Sequence, residues 1–106
     1  MFSIKKEKKQ GLNIMIIGCG KVGRTIVEQL CLEGHDITVI DKNPAKVEAM
    51  ANIHDVMGVC GNGASFSVQK EAGIQEADLV IAVTGSDELN LLCCTIAKQV
   101  TDCSAI

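Results

Sequence analysis

Gly18, Gly20 and Gly23 stand in the run I-M-I-I-G-C-G-K-V-G-R, spaced G-x-G-x-x-G after an aliphatic stretch and at the opening of a helical pattern. In that setting each glycine has its own task. Gly18 permits a tight turn, Gly20 lets the backbone approach a pyrophosphate with no Cβ in the way, and Gly23 lets the helix pack closely on the strand. The helix N-terminus then offers unpaired N–H groups and the positive end of its dipole to phosphate. Asp41 closes the next aliphatic stretch, 18 positions after Gly23. A carboxylate at that point accepts hydrogen bonds from both ribose hydroxyls and repels a 2′-phosphate, while Lys42 beside it softens the discrimination. The chemistry these residues carry is recognition of an adenosine nucleotide: NAD(H) ahead of NADP(H), with ATP and ADP offering the same ribose and phosphates.

Two more loops follow aliphatic stretches and fall on the same edge of the expected sheet. Gly61-Asn62-Gly63-Ala64 is small enough for an adenine ring to lie against backbone, with the Asn62 amide facing its edge. Thr84-Gly85-Ser86 can face the pyrophosphate or a second nucleoside. Both also read as ordinary strand-to-helix turns. Catalytic groups are scarce. The chain has no Tyr, and His35 and His54 fall before strands, at the edge opposite the glycine loop. Cys19 sits inside that loop near a helix N-terminus, where a lowered pKa gives a reactive thiolate, so a redox role is a minor expectation beside simple packing. The six cysteines contain no C-x-x-C pair, and with the two histidines they form no metal-ligand spacing. No catalytic residue and no metal ligand is assigned. Either catalysis belongs to another domain, or the nucleotide is a signal rather than a reactant.

The elements that must hold these loops follow from periodicity. The runs at 12 to 17, 36 to 40, 55 to 59 and 78 to 83 are short, rich in Ile and Val, and apolar on both faces, as parallel strands covered by helices require. Gly23, Ile26, Val27 and Leu30 share one face of a first helix, and Val47, Met50 and Ala51 share one face of a second. Asn43-Pro44 reads as an N-cap with proline at the first helical position, and Gly34 and Gly73 sit where helices end. Ser86 caps a fourth helix with Asp87 and Glu88 in its first turn and a buried stripe of Leu89, Leu92, Cys93, Ile96, Ala97 and Val100, leaving Leu91 and Cys94 off that stripe. A fifth strand begins near 103 to 106. The expected fold is α/β: a Rossmann-like, doubly wound parallel sheet with helices on both faces, C-terminally incomplete in its fifth strand.

Length and composition narrow the rest. The chain has 106 residues, 47% hydrophobic and 22% charged, which suits one globular domain. Residues 1 to 10 hold four lysines and one glutamate, so a chain of net charge −3 leaves −6 on the remaining 96 residues, a balance unsuited to nucleic acid. Two Phe with no Trp or Tyr remove the stacking platforms that single-stranded nucleic acid uses. No apolar run is long enough to span a bilayer, and free thiols suit a cytosolic protein. Residues 1 to 11 read as a basic flexible extension and 12 to 106 as the nucleotide-binding domain.

Taken together, the segments G-C-G-K-V-G-R, T-V-I-D-K-N-P, V-C-G-N-G-A and E-A-G-I-Q-E-A-D-L-V-I-A-V-T-G-S-D-E-L-N-L-L resemble the N-terminal nucleotide-binding (RCK or KTN) domain of the TrkA potassium-uptake regulator family, over residues 12 to 106. The resemblance implies a non-enzymatic regulatory domain, cytoplasmic and held at the inner face of the membrane through a potassium transporter or channel. It also implies assembly as dimers or rings and response to NAD(H) or ATP/ADP. Carried onto this chain, it places Gly18, Cys19, Gly20, Lys21 and Val22 at the phosphates and Asp41 at the ribose. Asn62 and Gly63 then lie near adenine, with Thr84 and Gly85 toward the pyrophosphate or nicotinamide side. Two departures stand out: Asn62 replaces the family's usual Asp or His, and the family's arginine-bearing fifth-strand segment would follow Ile106. The competing reading is the cofactor domain of an NAD-dependent oxidoreductase whose catalytic domain lies elsewhere.

Overall fold

The computed structural model describes residues 11–106; the expected basic extension lies, but for Gly11, outside the described residues. The strands β1 (Asn13–Ile17), β2 (Asp36–Asp41), β3 (Met57–Cys60), β4 (Leu79–Ala82) and β5 (Ser104–Ala105) form one sheet in the order β3-β2-β1-β4-β5. All four pairings are parallel. The helices α1 (Lys21–Leu32), α2 (Pro44–Ile53), α3 (Phe66–Glu71) and α4 (Asp87–Val100) fill the crossovers, with one 3-10 turn at Ile74–Glu76 before β4. The doubly wound α/β class expected from periodicity is the class observed.

Alternation along the central strands decides which helix covers which face. On β1, Ile14 and Ile16 pack with Val27, Val47 and Met50 from α1 and α2, whereas Met15 and Ile17 pack with Ile74, Cys93 and Ala97 on the α3 and α4 side. Because side chains of a strand alternate between faces, a strand apolar at every position feeds two cores at once. The chain leaves β1 in one direction to build β2 and β3, and returns beside it to build β4 and β5. This reversal opens a crevice at the carboxyl ends of the strands around β1.

Local signals place the helix ends as read. The Asn43 side chain accepts a hydrogen bond from the Ala45 N–H at 2.9 Å behind Pro44, and Ser86 Oγ accepts from the Leu89 N–H at 3.1 Å. Gly34 and Gly73 take left-handed backbone just after α1 and α3.

Three expectations need correction. The third strand runs Met57–Cys60 rather than 55 to 59, and only Val59 in it is buried, because β3 is the outer strand of the sheet. Met57 is 62% exposed there. Leu92, placed on the buried stripe of α4, is 49% exposed, and Ala51 on α2 is also exposed; both stripes are narrower than the pattern suggested, since each helix meets the sheet along a single line. Cys94, off that stripe as read, is half-buried against the α4-side core, and its thiol donates to the Ile106 carbonyl at 3.4 Å just past β5.

Candidate functional site

The ends of four strands are stitched together beneath the crevice. Gly18 N–H donates to the Ile40 carbonyl at 2.8 Å, Val83 N–H to Ile17 at 2.8 Å, and Gly61 N–H to Asp41 at 2.9 Å. Gly18 adopts φ +114°, and a Cβ on it would lie 2.8 Å from the Val83 carbonyl oxygen, so both backbone strain and space demand glycine. A Cβ on Gly23 would overlap the Gly18 carbonyl oxygen, which sets how closely α1 sits on the end of β1. Gly20 is different: nothing lies within 4 Å of the place its Cβ would take. The protein's own packing accounts for two of the three glycines, and the third keeps open space beside the first turn of α1. No side chain caps that helix, and Gly20 serves as its N-cap. Its leading N–H groups are donors without intrahelical acceptors.

A cleft of about 360 Å³ lies here, between the glycine loop, the end of β2 and the loops after β3 and β4. Of the residues read from the sequence, Gly18, Gly20, Asp41, Lys42, Asn62, Gly63, Thr84 and Gly85 line it. Cys19, Lys21 and Val22 bring no side chain to it. Cys19 is buried among Val27, Val39 and Met50, and the side chains of Lys21 and Val22 are exposed on α1. What these three can contribute is backbone N–H.

Asp41 is anchored before any ligand arrives. Its Oδ2 accepts from the Cys19 N–H at 2.8 Å and its Oδ1 from the Asn43 N–H at 2.9 Å. The carboxylate thus ties the glycine loop to the start of α2 and retains further lone pairs for ribose hydroxyls. The Cys19 thiol is pushed up to about 11, by burial first and by the Asp41 charge second, against an opposing pull from Lys46. Burial of the Cys19 side chain, at 2% exposure, and its raised thiol pKa count against the minor reactive-thiolate expectation and favour simple packing.

The loops after β3 and β4 are held by their own polar groups. Asn62 Oδ1 accepts from the Ala64 N–H at 2.9 Å, so the oxygen of the amide expected at adenine is engaged in the turn. Gly63 is required by the core, since a Cβ there would overlap the Ile17 side chain. Thr84 is clasped by Asn90 of α4: its N–H and hydroxyl donate to Asn90 Oδ1 at 2.8 and 2.6 Å, and Asn90 Nδ2 donates back to the Thr84 carbonyl at 3.3 Å. His35 and His54 lie away from the cleft. His35 Nδ1 accepts from the Leu12 N–H at 2.9 Å.

Lys46 and Asn90 escaped the sequence reading. Lys46 lines the cleft from the first turn of α2, where a cation opposes the helix dipole, and that misplaced charge was its signal. Asn90 lies in the interior of a helix it does not favour by propensity, in the quoted run D-E-L-N. With Asp41, Lys42 and Lys46 as its charged lining, the cleft carries +1 on a body that is otherwise acidic. Among the described residues no group of His, Cys, Asp and Glu is placed to hold a metal ion, and no helix is long and apolar enough to cross a membrane.

A family profile described as the TrkA-N domain matches residues 14–106. The Trk system potassium uptake protein TrkA of Haemophilus influenzae is 40% identical over 83 residues, covering 78% of this chain and 18% of that protein. A TrkA homolog of Methanothermobacter thermautotrophicus is 37% identical over 86 residues, covering 81% of this chain and 40% of the homolog. The chain therefore spans well under half the length of these relatives. A solved structure described as the GsuK channel bound to NAD superposes with a TM-score of 0.77 at 19% identity, covering 97% of this chain and 19% of that one, a likeness of fold.

Proposed function

Because this chain belongs to the TrkA-N domain family, we propose that it is a nucleotide-sensing regulatory domain of a potassium uptake system, binding NAD(H) or an adenine nucleotide in the cleft at the carboxyl ends of its strands. The observation that carries the reading is the convergence there of an uncapped helix N-terminus, the open space beside Gly20 and the anchored Asp41 carboxylate. The N–H groups following Gly20 receive the phosphates, Asp41 the ribose hydroxyls, and Lys42 adds charge. Asn62 and Gly63 form the adenine-side wall, and Thr84 and Gly85 the opposite one. Relatives named as potassium uptake proteins support the assignment to transport, and fold neighbours described as bound to NAD and in AMP-bound form are in keeping with an adenosine nucleotide in this cleft.

On this reading the domain does not turn its ligand over. It works in the cytoplasm, at the inner face of the membrane through a transporter or channel partner, as a homo-oligomer. Regulation then requires that the nucleotide bind one assembly state more tightly than the other, since equal affinity shifts nothing. The test is calorimetric titration of the protein with NADH, NAD, NADPH, ATP and ADP, beside a Gly20→Val variant. Binding of NAD(H) or ATP/ADP, weaker NADPH, and loss of at least tenfold in the variant is the expected result, a valine there filling the pyrophosphate's place. Equal affinity of the variant would overturn the site, and no binding by the unaltered chain would overturn the reading.

A further inference from the structure

One buried polar side chain is not explained by the cleft's lining. Gln69, on α3, is fully buried. Its Nε2 donates to the Gly63 carbonyl at 2.8 Å and to the Cys93 carbonyl at 3.1 Å, while its Oε1 has no hydrogen-bond partner among the described residues. The amide cannot be reversed, because its oxygen would then face two carbonyls. A leucine would fill similar space and remove the orphaned Oε1, but it would leave the buried Gly63 carbonyl without its donor.

The two acceptors say what the amide does. Gly63 belongs to the loop that forms one wall of the cleft, and α4, which carries Cys93, begins at the other wall with Ser86 and Leu89. Cys93 lies in the helix interior, where its carbonyl already has the N–H four residues on as a partner, so helix formation does not call for a second donor. The buried Gly63 carbonyl does need one. From beneath the cleft, Gln69 therefore reaches both walls with one NH2 group.

We propose that Gln69 is a positioning residue: it spaces the Gly61–Gly63 loop from α4 and so holds the nucleotide cleft at its working width. The inference rests on the nucleotide reading for its ligand, but its structural half stands apart from it. The experiment replaces Gln69 by Leu, and in parallel by Met, in the full chain. It measures the thermal midpoint, hydrogen exchange at the Ala64 and Ser65 amides, which bond to Asn62, and the dissociation constant for NADH.

The expected split is a midpoint that changes little, because removing the orphaned Oε1 offsets stranding the Gly63 carbonyl, with exchange faster by about tenfold and NADH binding weaker by about tenfold, the loss of one buried hydrogen bond at the wall. A raised midpoint with unchanged exchange and affinity would make Gln69 a core filler and overturn the proposal. An unaltered chain that binds neither NADH nor ATP or ADP would defeat the nucleotide reading, and the exchange arm would still decide the role of Gln69. Should neither variant fold, the Gln69 side-chain NH2 protons of the unaltered protein decide: exchange as slow as that of the α4 core amides supports the tie, and fast exchange overturns it.

Discussion

At the scale of single residues, the cleft is governed by charge and by where thiols are buried. Lys46 is the cation that periodicity did not flag, and its position works against its own helix. Lys46→Glu changes the lining from +1 to −1, so it should weaken NADH or ADP binding by about fivefold at low salt, with the difference shrinking as salt screens it. The same change puts an acid in the first turn of α2 and should raise helix stability by about 0.5 kcal/mol. Titration and urea unfolding of one variant thus move in opposite directions, and a parallel fall in both would show that Lys46 is structural. The thiols sort as cleanly. Cys60 is exposed at the end of β3, whereas Cys19 and Cys93 are buried and their thiols are pushed up to about 11 by desolvation. Alkylation followed by mass spectrometry should label Cys60 first and these two last.

At the scale of elements, each loop at the cleft is held by a side chain from the helix that follows it or by its own turn. Asn90 supplies this for the connection from β4 to α4, with three hydrogen bonds shared between it and Thr84 and two contacts between Thr84 and Ser86. Asn90→Ala strands the Thr84 N–H in a half-buried loop and leaves the hydroxyl only the Ser86 carbonyl at 3.2 Å, at a cost of about 1–2 kcal/mol in urea unfolding with the slope unchanged. Asn90→Asp keeps an acceptor for both donors and should recover part of that loss. If Asn90→Ala were neutral, the loop would owe its shape to the Ser86 cap alone. The same logic explains why α4 and α2 bury less than their patterns promised. Each is packed along one line against the sheet, so Leu92 and Ala51, adjacent to that line in projection, stay in solvent.

At the scale of the whole molecule, two cores flank one sheet, and each holds a buried thiol whose protonation follows folding. Between 9.0, the ordinary thiol value, and about 11, the unfolded chain has released these protons while the folded chain retains them at Cys19 and Cys93. Rising pH therefore favours the unfolded state across that window, by up to on the order of 2 kcal/mol per thiol. The thermal midpoint should fall from pH 9 to 11, and Cys93→Ala should flatten the fall even though it costs stability at neutral pH by leaving a cavity. A midpoint flat across that range in the unaltered protein would count against the burial of both thiols.

What was legible in the sequence was local or periodic. The strands were readable because uninterrupted Ile and Val runs suit a sheet covered on both faces. The caps at Asn43 and Ser86 were readable because their partners lie two and three residues away. The glycine loop and Asp41 were readable because their spacing follows from one strand-turn-helix unit and the next. What had to wait for the fold was everything decided by residues distant in sequence. The exposure of β3 depends on its being the outer strand, which strand order alone determines. The burial of Cys19 depends on the core it shares with Val39 and Met50, which no helix-terminus rule contains. The Gln69 tie reaches from Gly63 to Cys93, 24 positions beyond Gln69 itself, and its polar character in an apolar core becomes intelligible only once both walls of the cleft are in place. Capping hydrogen bonds and periodicity act along a few residues of chain, whereas burial and the long-range hydrogen bonds it encloses are properties of the closed molecule.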